Sequence, residues 1–336
     1  MKKIKLFIGI DVSKGWIDIA VIHYQNPYEY GYKRFSNTTE GFVDFLNWLE
    51  KNYTTNIEEC LVCLEHTGLY SMPICVFLTE KNAQYVVESA LQIKRSMGIT
   101  RGKSDKADSK TIARYIKLHK DDVRLYKMPC RTLIDLKALL SFRERLKKQK
   151  HALKVASKEL NGFTIQSTYE FVDEHSSEII SIINLKLKEI EKQINQLMNS
   201  DKQLRPLFKL STSVKGVNLI ISAYMIYYTN CFTRFESWRK FSCYAGSALF
   251  EYTSGKTIKG KTKVSHLANK MMKALLTNGA YSAIQHDREL RNFFQRKIKQ
   301  GKEEFFVINI IRNKLISRVF AAVKRGTPYV PIMNYC

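Results

Sequence analysis

Four carboxylates are placed where they could act together. Asp11 closes the apolar run Ile4–Ile10, and Glu65 closes the apolar run Cys60–Leu64. Asp105 and Asp108 stand three apart in Lys103-Ser104-Asp105-Lys106-Ala107-Asp108, so on a helix they share a face. Ends of neighbouring strands and one flanking helix can bring such groups together. Four converging carboxylates repel one another and stay ionised only with cations between them. Hard oxygen donors select Mg²⁺ or Mn²⁺. Two such ions about 3.5–4 Å apart clamp the attacking and leaving oxygens of a phosphodiester. Each residue alone also has an ordinary reading. An Asp after a strand forms turns, and an acidic pair opening a helix is favoured by the helix dipole.

A second set lies far along the chain, in Thr253-Ser254-Gly255-Lys256. A serine hydroxyl can attack a phosphodiester and hold the strand as an ester, if a base, a metal or cationic groups assist it. Lys256, Lys259, Lys261 and Lys263 are near in sequence and read as a phosphate-contact strip, because lysines position backbone without reading bases. His266 could act as a base, although spacing does not place it. On spacing alone the favoured reading of Ser254-Gly255 is a hairpin turn, since Ser-Gly is a common turn pair. Val214-Lys215-Gly216-Val217-Asn218 resembles the hairpin of helix-hairpin-helix modules, where backbone N–H groups of Lys215 and Gly216 would meet phosphate. Asn218 stands where a second glycine is usual and is expected to take up a positive φ. Lys103, just before the acidic pair, and Lys106, within it, are further candidate contacts. Cys60 and Cys63 form one C-x-x-C without a second pair, short of a zinc ligand set.

The elements that must carry these residues follow from periodicity. Ile4–Ile10 and Trp16–Ile22 alternate around the turn Asp11–Gly15 and predict a hairpin; Tyr30–Phe35 predicts a third strand. Helical spacing predicts helices at Thr39–Lys51, capped by Thr39, at Gly68–Lys81 and at Ser104–His119, with strands at Cys60–Leu64 and Ala83–Glu88. This is a mixed α/β sheet with helices. Arg131–Glu159 is proline-free and rich in Leu, Lys, Arg and Gln. Ile179, Ile183, Ile190, Ile194 and Leu197 are heptad-like, so two long helices joined near Asn161–Ser177 are expected, as a helical pair or a dimerising coiled coil. Beyond Ser211 the pattern is mostly α: helices at Leu219–Tyr228, Arg234–Ala245, Ser265–Ile284 and Glu303–Lys324, and a small β excursion over Ser247–Lys263. The expected domains are 1–125, 126–205 and 206–336.

Charge separates the same regions. The 336 residues carry a net charge of +24, but residues 1–100 carry −1, residues 101–200 carry +8 and residues 201–336 carry +17. Such a basic tail calls for a polyanion, with nucleic acid ahead of a membrane surface. Tyr224, Tyr227, Tyr228, Phe232, Phe235, Trp238, Phe241 and Tyr244 are interleaved with it, either as core or as a nucleic-acid surface. A composition 45% hydrophobic excludes a disordered chain. No apolar run is long enough to span a bilayer. The segment after Met1-Lys2-Lys3 is too short for a signal peptide, so a cytoplasmic location is expected.

The blocks Gly9-Ile10-Asp11-Val12-Ser13-Lys14, Glu65-His66-Thr67-Gly68-Leu69-Tyr70 and Lys103–Asp108 resemble the insertion-sequence transposases with an N-terminal DEDD domain. Arg234–Phe241, Tyr244-Ala245-Gly246 and Thr253-Ser254-Gly255-Lys256 are similar to the C-terminal serine transposase domain of that family, which is related to the pilin-gene DNA invertase. The resemblance implies an RNase H-like, RuvC-like N-terminal domain in which Asp11, Glu65, Asp105 and Asp108 hold Mg²⁺ or Mn²⁺. It makes Ser254 the nucleophile of a phosphoserine intermediate. It also implies donor and target DNA, a structured non-coding bridge RNA as guide, and a homodimer or homotetramer. Three other readings stay open from the residues themselves: a RuvC-like nuclease or junction resolvase with a structural Ser254, an RNA-independent DNA invertase, and a non-catalytic nucleic-acid scaffold.

Overall fold

The computed structural model describes residues 4–26, 29–98, 104–254 and 258–330; of Tyr252, Ser254, Ile258, Lys259 and Lys261 only the backbone is described. The chain forms two compact units, Met1–Met128 and Pro129–Cys336.

The first unit is built on β1 (Leu6–Val12), β2 (Trp16–His23), β3 (Tyr30–Ser36), β4 (Cys60–Glu65) and β5 (Gln84–Glu88). They form one sheet in the order β3-β2-β1-β4-β5. β1, β2 and β3 are antiparallel neighbours, whereas β4 runs parallel to β1 and β5 parallel to β4. This is the mixed sheet the sequence predicted. Ser13 closes the hairpin through its N–H to the Trp16 carbonyl at 2.9 Å. Both faces of the sheet are covered, so β1 reads as a nearly unbroken apolar run. Leu6, Ile8, Ile10 and Val12 join one core, which includes Phe42 and Phe45 of α1 (Thr39–Tyr53) and Ile74 and Leu78 of α2 (Met72–Glu80). Phe7 joins the other, with Ile93 of α3 (Ala90–Ser96) and Ile112, Ala113 and Ile116 of α4 (Asp105–Leu118).

Gly9 controls how closely α4 approaches that second face. A Cβ at Gly9 would lie 2.2 Å from the Ala113 nitrogen and 2.3 Å from the Ser109 carbonyl oxygen. The helix backbone therefore rests on the strand itself, and only glycine leaves the room.

The second unit opens with α5 (Arg131–Leu160) and α6 (Gln166–Ser200), which form an antiparallel hairpin. Polar links recur along the seam. Arg143 Nε donates to Glu191 at 2.9 Å, Lys150 to Asn184 at 2.6 Å, and Ser157 to Asp173. The donors are seven residues apart, one per heptad. Ile183, Ile190, Ile194 and Met198 are buried, but Ile179 is exposed. The base of the hairpin belongs to the same core as the helices beyond it: Leu133, Leu136 and Leu140 pack with α7 (Leu204–Thr212), α8 (Leu219–Tyr228), α9 (Trp238–Tyr244), α10 (Lys270–His286), α11 (Arg288–Lys299) and α12 (Glu304–Arg325). The β excursion is the hairpin of β6 (Leu249–Ser254) and β7 (Ile258–Val264).

Several boundaries differ from the sequence reading, each for a local reason. Thr38 rather than Thr39 caps α1, its hydroxyl accepting from the Gly41 N–H. α2 starts at Met72 because Gly68 turns with φ 73° and the Ser71 hydroxyl donates to the Gly68 carbonyl. The two long helices are joined by residues 161–165, not by a segment reaching Ser177. α9 starts at Trp238, since Asn230, Cys231 and Phe232 all take positive φ and Ser237 supplies the cap. α10 starts at Lys270, capped by Asn269. The short helices α3, α7 and α11 were not anticipated. No helix among the described residues is long and apolar enough to cross a membrane.

Candidate functional site

The register of the sheet lines up acidic residues at one end. β1 pairs Asp11 with Asp18 of β2, and β4 pairs Glu65 with Glu88 of β5. Ile10 pairs with Leu64, so Asp11 and Glu65 are the next step of the same parallel ladder. The strand ends meet the N-terminus of α4, which carries Asp105 and Asp108 in its first turn. Ser104 caps that turn, its hydroxyl accepting the Ala107 N–H at 3.2 Å. Gly9 thus does more than fill space: by seating α4 on β1 two residues before Asp11, it brings the acidic helix start to the acidic strand end.

The electrostatics register this convergence. Asp11 has its carboxyl pushed up to about 6, first by burial and then by Glu65, Asp108, Asp105 and Asp18. The other three carboxylates expected from the sequence therefore all act on Asp11. Arg34 of β3 reaches into the group, bonding Asp18 at 3.0 Å and Asp105 at 2.7 Å. Asp18 is buried and also accepts from the Tyr32 hydroxyl. Among the described residues, no three His, Cys, Asp or Glu side chains are drawn close enough to hold one ion. The donor set nevertheless suits a hard divalent cation: carboxylate oxygens of one sign, partly desolvated, at the carboxyl ends of β1, β4 and β5.

Three residues of this end were not foreseen. Asp18 was legible, because counting back across the turn from Val12 opposite Ile17 puts it against Asp11. Glu88 ends β5 as Glu65 ends β4, and it takes the Ser89 N–H at 2.8 Å. Arg34 carried no signal in the sequence, since β3 is polar and half-exposed. Lys106 is exposed, with its ammonium 5.0 Å from the Tyr32 ring. Cys60 and Cys63 are buried on opposite faces of β4, one in each core, and burial pushes the Cys60 thiol up to about 12.

In the second unit, Ser254 ends β6 and its backbone pairs with Ile258. Lys103, Gly255 and Lys256 lie outside the described residues, as do the side chains of Ser254, Lys259 and Lys261. Lys263 and His266 are exposed. Gly216 has φ 91°, and a Cβ there would lie 2.4 Å from the Gly279 carbonyl oxygen of α10; this packing accounts for the glycine. Lys215 beside it is exposed. Asn218 does not take a positive φ: it sits at −88° and caps α8, accepting the Ile221 N–H at 3.0 Å. The aromatic series is largely core. Phe241 is fully buried between Phe235 and Phe320, and Tyr224 stacks on Tyr228 within 5.7 Å.

Sequence comparison agrees with this layout. Residues 8–160 match a family described as a transposase of the DEDD, IS110 type, and residues 209–295 match the Transposase IS116/IS110/IS902 family. Together these matches cover more than two thirds of the chain. Pilin gene-inverting proteins of Moraxella lacunata and Moraxella bovis are each 24% identical over 335 residues, spanning 97% of this chain and 98% of theirs. An uncharacterized 43.6 kDa protein of insertion element IS110 from Streptomyces coelicolor is 25% identical over 150 residues, 45% of this chain and 36% of that protein. The solved structure of T. thermophilus RuvC with a Holliday junction substrate is similar at 10% identity and a TM-score of 0.27, over 36% of this chain and 99% of that one. The protein belongs to the IS110-type transposase family. It is accordingly an enzyme of DNA recombination.

Proposed function

We propose that the protein cuts and rejoins the DNA strands of a mobile element, using the acidic sheet end of the first unit and Ser254 of the second. The observation that carries this reading is the crowding of Glu65, Asp105, Asp108 and Asp18 around a half-buried Asp11 whose carboxyl is pushed up to about 6. Such a cluster is costly unless it serves a cation or a proton. Asp11, Glu65, Asp105 and Asp108 would hold Mg²⁺ or Mn²⁺, which when bound supplies Lewis-acid polarisation of a phosphodiester. Asp18, tied down by Tyr32 and Arg34, keeps β2 and β3 in register beside Asp11. Arg34 also steadies Asp105 and offers a positive charge near where phosphate would enter.

Ser254 Oγ would attack phosphorus. A new Oγ–P ester forms as the P–O bond to the departing strand breaks, and that oxygen takes a proton to become a hydroxyl. The ester keeps the strand on the protein until another strand's hydroxyl attacks, restoring the serine. Lys256, Lys259, Lys261 and Lys263 would offset phosphate charge. Choice of site is assigned to a structured guide RNA paired with donor and target DNA, which asks the protein to grip backbone and shape. A homodimer or homotetramer, with the α5–α6 hairpin as contact, is the assembly that goes with this reading.

Ser254→Ala and Asp11→Asn test it on supercoiled DNA carrying the element's ends in Mg²⁺. Both variants should lose strand transfer, and wild type alone should yield a protein–DNA adduct on a denaturing gel. Cleavage without adduct, retained by Ser254→Ala, would leave a metal-dependent nuclease. RNA of one sequence co-purifying with the protein is the expected sign of guidance; its absence from active protein would remove the guide from the scheme.

A further inference from the structure

A cleft of about 450 Å³ opens in the second unit between the base of the β6–β7 hairpin and the first turns of α10 and α12. Its wall includes Lys263, Lys270, Lys273 and Arg312, against one carboxylate, Glu303. Arg312 stands out because it is 5% exposed and its Nε and Nη1 are buried with no hydrogen-bond partner. No ion pair among the described residues reaches it. Buried guanidinium groups are normally paired, because an uncompensated charge is strongly disfavoured away from water. Arg312 lines the cleft, so an anion bound there would supply the missing counter-charge.

A second buried group lacks a partner on the same wall. Asn309, one turn before Arg312, donates its Nδ2 to the Ser247 carbonyl at 2.9 Å, which fixes the amide and leaves Oδ1 as an unsatisfied acceptor. The ligand therefore needs an anionic group for Arg312 and a donor for Asn309. At the rim, Phe305 is 65% exposed and Phe306 42% exposed, an unusual position for two adjacent aromatics. A phosphate, a base N–H and a free base face occur together in a nucleic-acid strand whose base is unpaired.

We propose that this cleft binds a single-stranded DNA segment, with a backbone phosphate on Arg312, Lys263 and Lys273 and an unstacked base on Phe305. DNA is favoured over RNA because the family's established chemistry is DNA recombination; the choice of polymer rests on that reading, while the phosphate site rests on the cleft alone. The bound strand gives Arg312 its counter-charge and Asn309 its donor. The cleft thereby holds a strand at the base of the hairpin that bears Ser254, a separate place from the nucleophile.

The test is fluorescence anisotropy of a labelled twelve-residue oligothymidylate on the full chain in EDTA. Arg312→Met should weaken binding at least about tenfold and lower the salt slope by about one. Phe305→Ala should weaken it about five- to a hundredfold, the range for loss of one base–aromatic stack. Arg312→Met should melt no lower than wild type, since an unpaired buried charge is replaced by an apolar chain of similar length. Unchanged oligothymidylate affinity would overturn the proposal. So would a melting point well below wild type, because that would reveal a structural partner for Arg312. Oligouridylate bound more tightly than oligothymidylate, and losing more on Arg312→Met, would overturn the assignment to DNA. Because the assay omits metal and reads binding alone, failure of wild-type protein to cleave DNA in Mg²⁺ counts against the catalytic reading and leaves this one standing.

Discussion

In the first unit the crowded charge is negative and gathers around Asp11 at the carboxyl end of β1; in the second it is positive and sits beneath the β6–β7 hairpin. Each cluster is held in place by the neutral framework around it. Asp11 rides on a strand whose other side chains are buried, and Arg312 on a helix whose Ile308, Ile311, Leu315 and Ile316 are core. Each unit also contains a glycine that lets a helix press directly on backbone: Gly9 under α4 and Gly216 under α10. Opposite charges are thus managed the same way. Rigid apolar packing supplies enough stability to tolerate crowded carboxylates in one unit and an unpaired guanidinium in the other.

The largest effects should come from the two glycines. Gly9→Ala and Gly216→Ala should each lose about 3 kcal/mol or more, because a Cβ would enter helix backbone that cannot move aside, and Gly216 adds a positive φ. Equilibrium denaturation by urea measures both. A loss below about 1 kcal/mol at either position would mean that unit's helix is not seated by contact.

Asp18→Asn should be next, costing about 2 kcal/mol. It removes a like charge from beside Asp11, yet it strips a buried carboxylate from Tyr32 and Arg34. A net gain in stability would show that repulsion, not anchoring, dominates that end of the sheet.

Asp11→Asn should do the opposite. The Asp11 carboxyl is raised from 3.8 to about 6, so the folded state binds the proton more tightly than the unfolded one. Stability from this group is complete below pH 4, declines as pH rises through 6, and is absent at pH 7. The shift corresponds to about 3 kcal/mol; solvent screening at this half-buried site reduces the expected gain at pH 7 to about 1–2 kcal/mol. Melting curves at pH 4 and pH 7 check it: the variant's advantage should appear only at the higher pH. Added Mg²⁺ should then raise the melting point of wild type more than that of Asp11→Asn. With Arg312→Met, this makes a matched pair in which removing either sign of charge leaves the fold intact or firmer.

The smallest effect is Ser104→Ala, about 1 kcal/mol for a lost helix cap. It sharpens the comparison because the cap lies beside Asp105 and Asp108. Asn218→Ala, at the cap of α8, is its counterpart in the second unit and should cost a similar amount.

Much of the first unit could be read directly. Alternation around Asp11–Gly15 gave the hairpin, and the runs ending at Glu65 and Glu88 gave the parallel strands. Residue type and spacing also picked out Asp11 and three of the four carboxylates that bear on it, Glu65, Asp105 and Asp108. Asp18 escaped because finding it takes counting the register back across the turn, and Arg34 because it lies on a polar, half-exposed strand; one-dimensional periodicity displays neither. In the second unit the long helices were clear, but their junction was not. The stretch after Asn161 lacks proline and repeats no strict heptad, so its helical start at Gln166 gave little warning. Arg312 was invisible for a different reason. In sequence it is one more cation in a basic tail, and only burial distinguishes it from its neighbours.

The α5–α6 hairpin has a modular consequence. Its arms of 30 and 35 residues correspond to about 45 and 52 Å of helix, and the five-residue bend between them returns the chain to where it left. With rungs at Arg143, Lys150 and Ser157, α5 can be thought of as a rail marked off in equal lengths. Excising one heptad from both rails should shorten the projection by about 10 Å while its foot stays planted. The hairpin is in that sense an adjustable spacer, whose reach can be dialled by deletion without rebuilding either end.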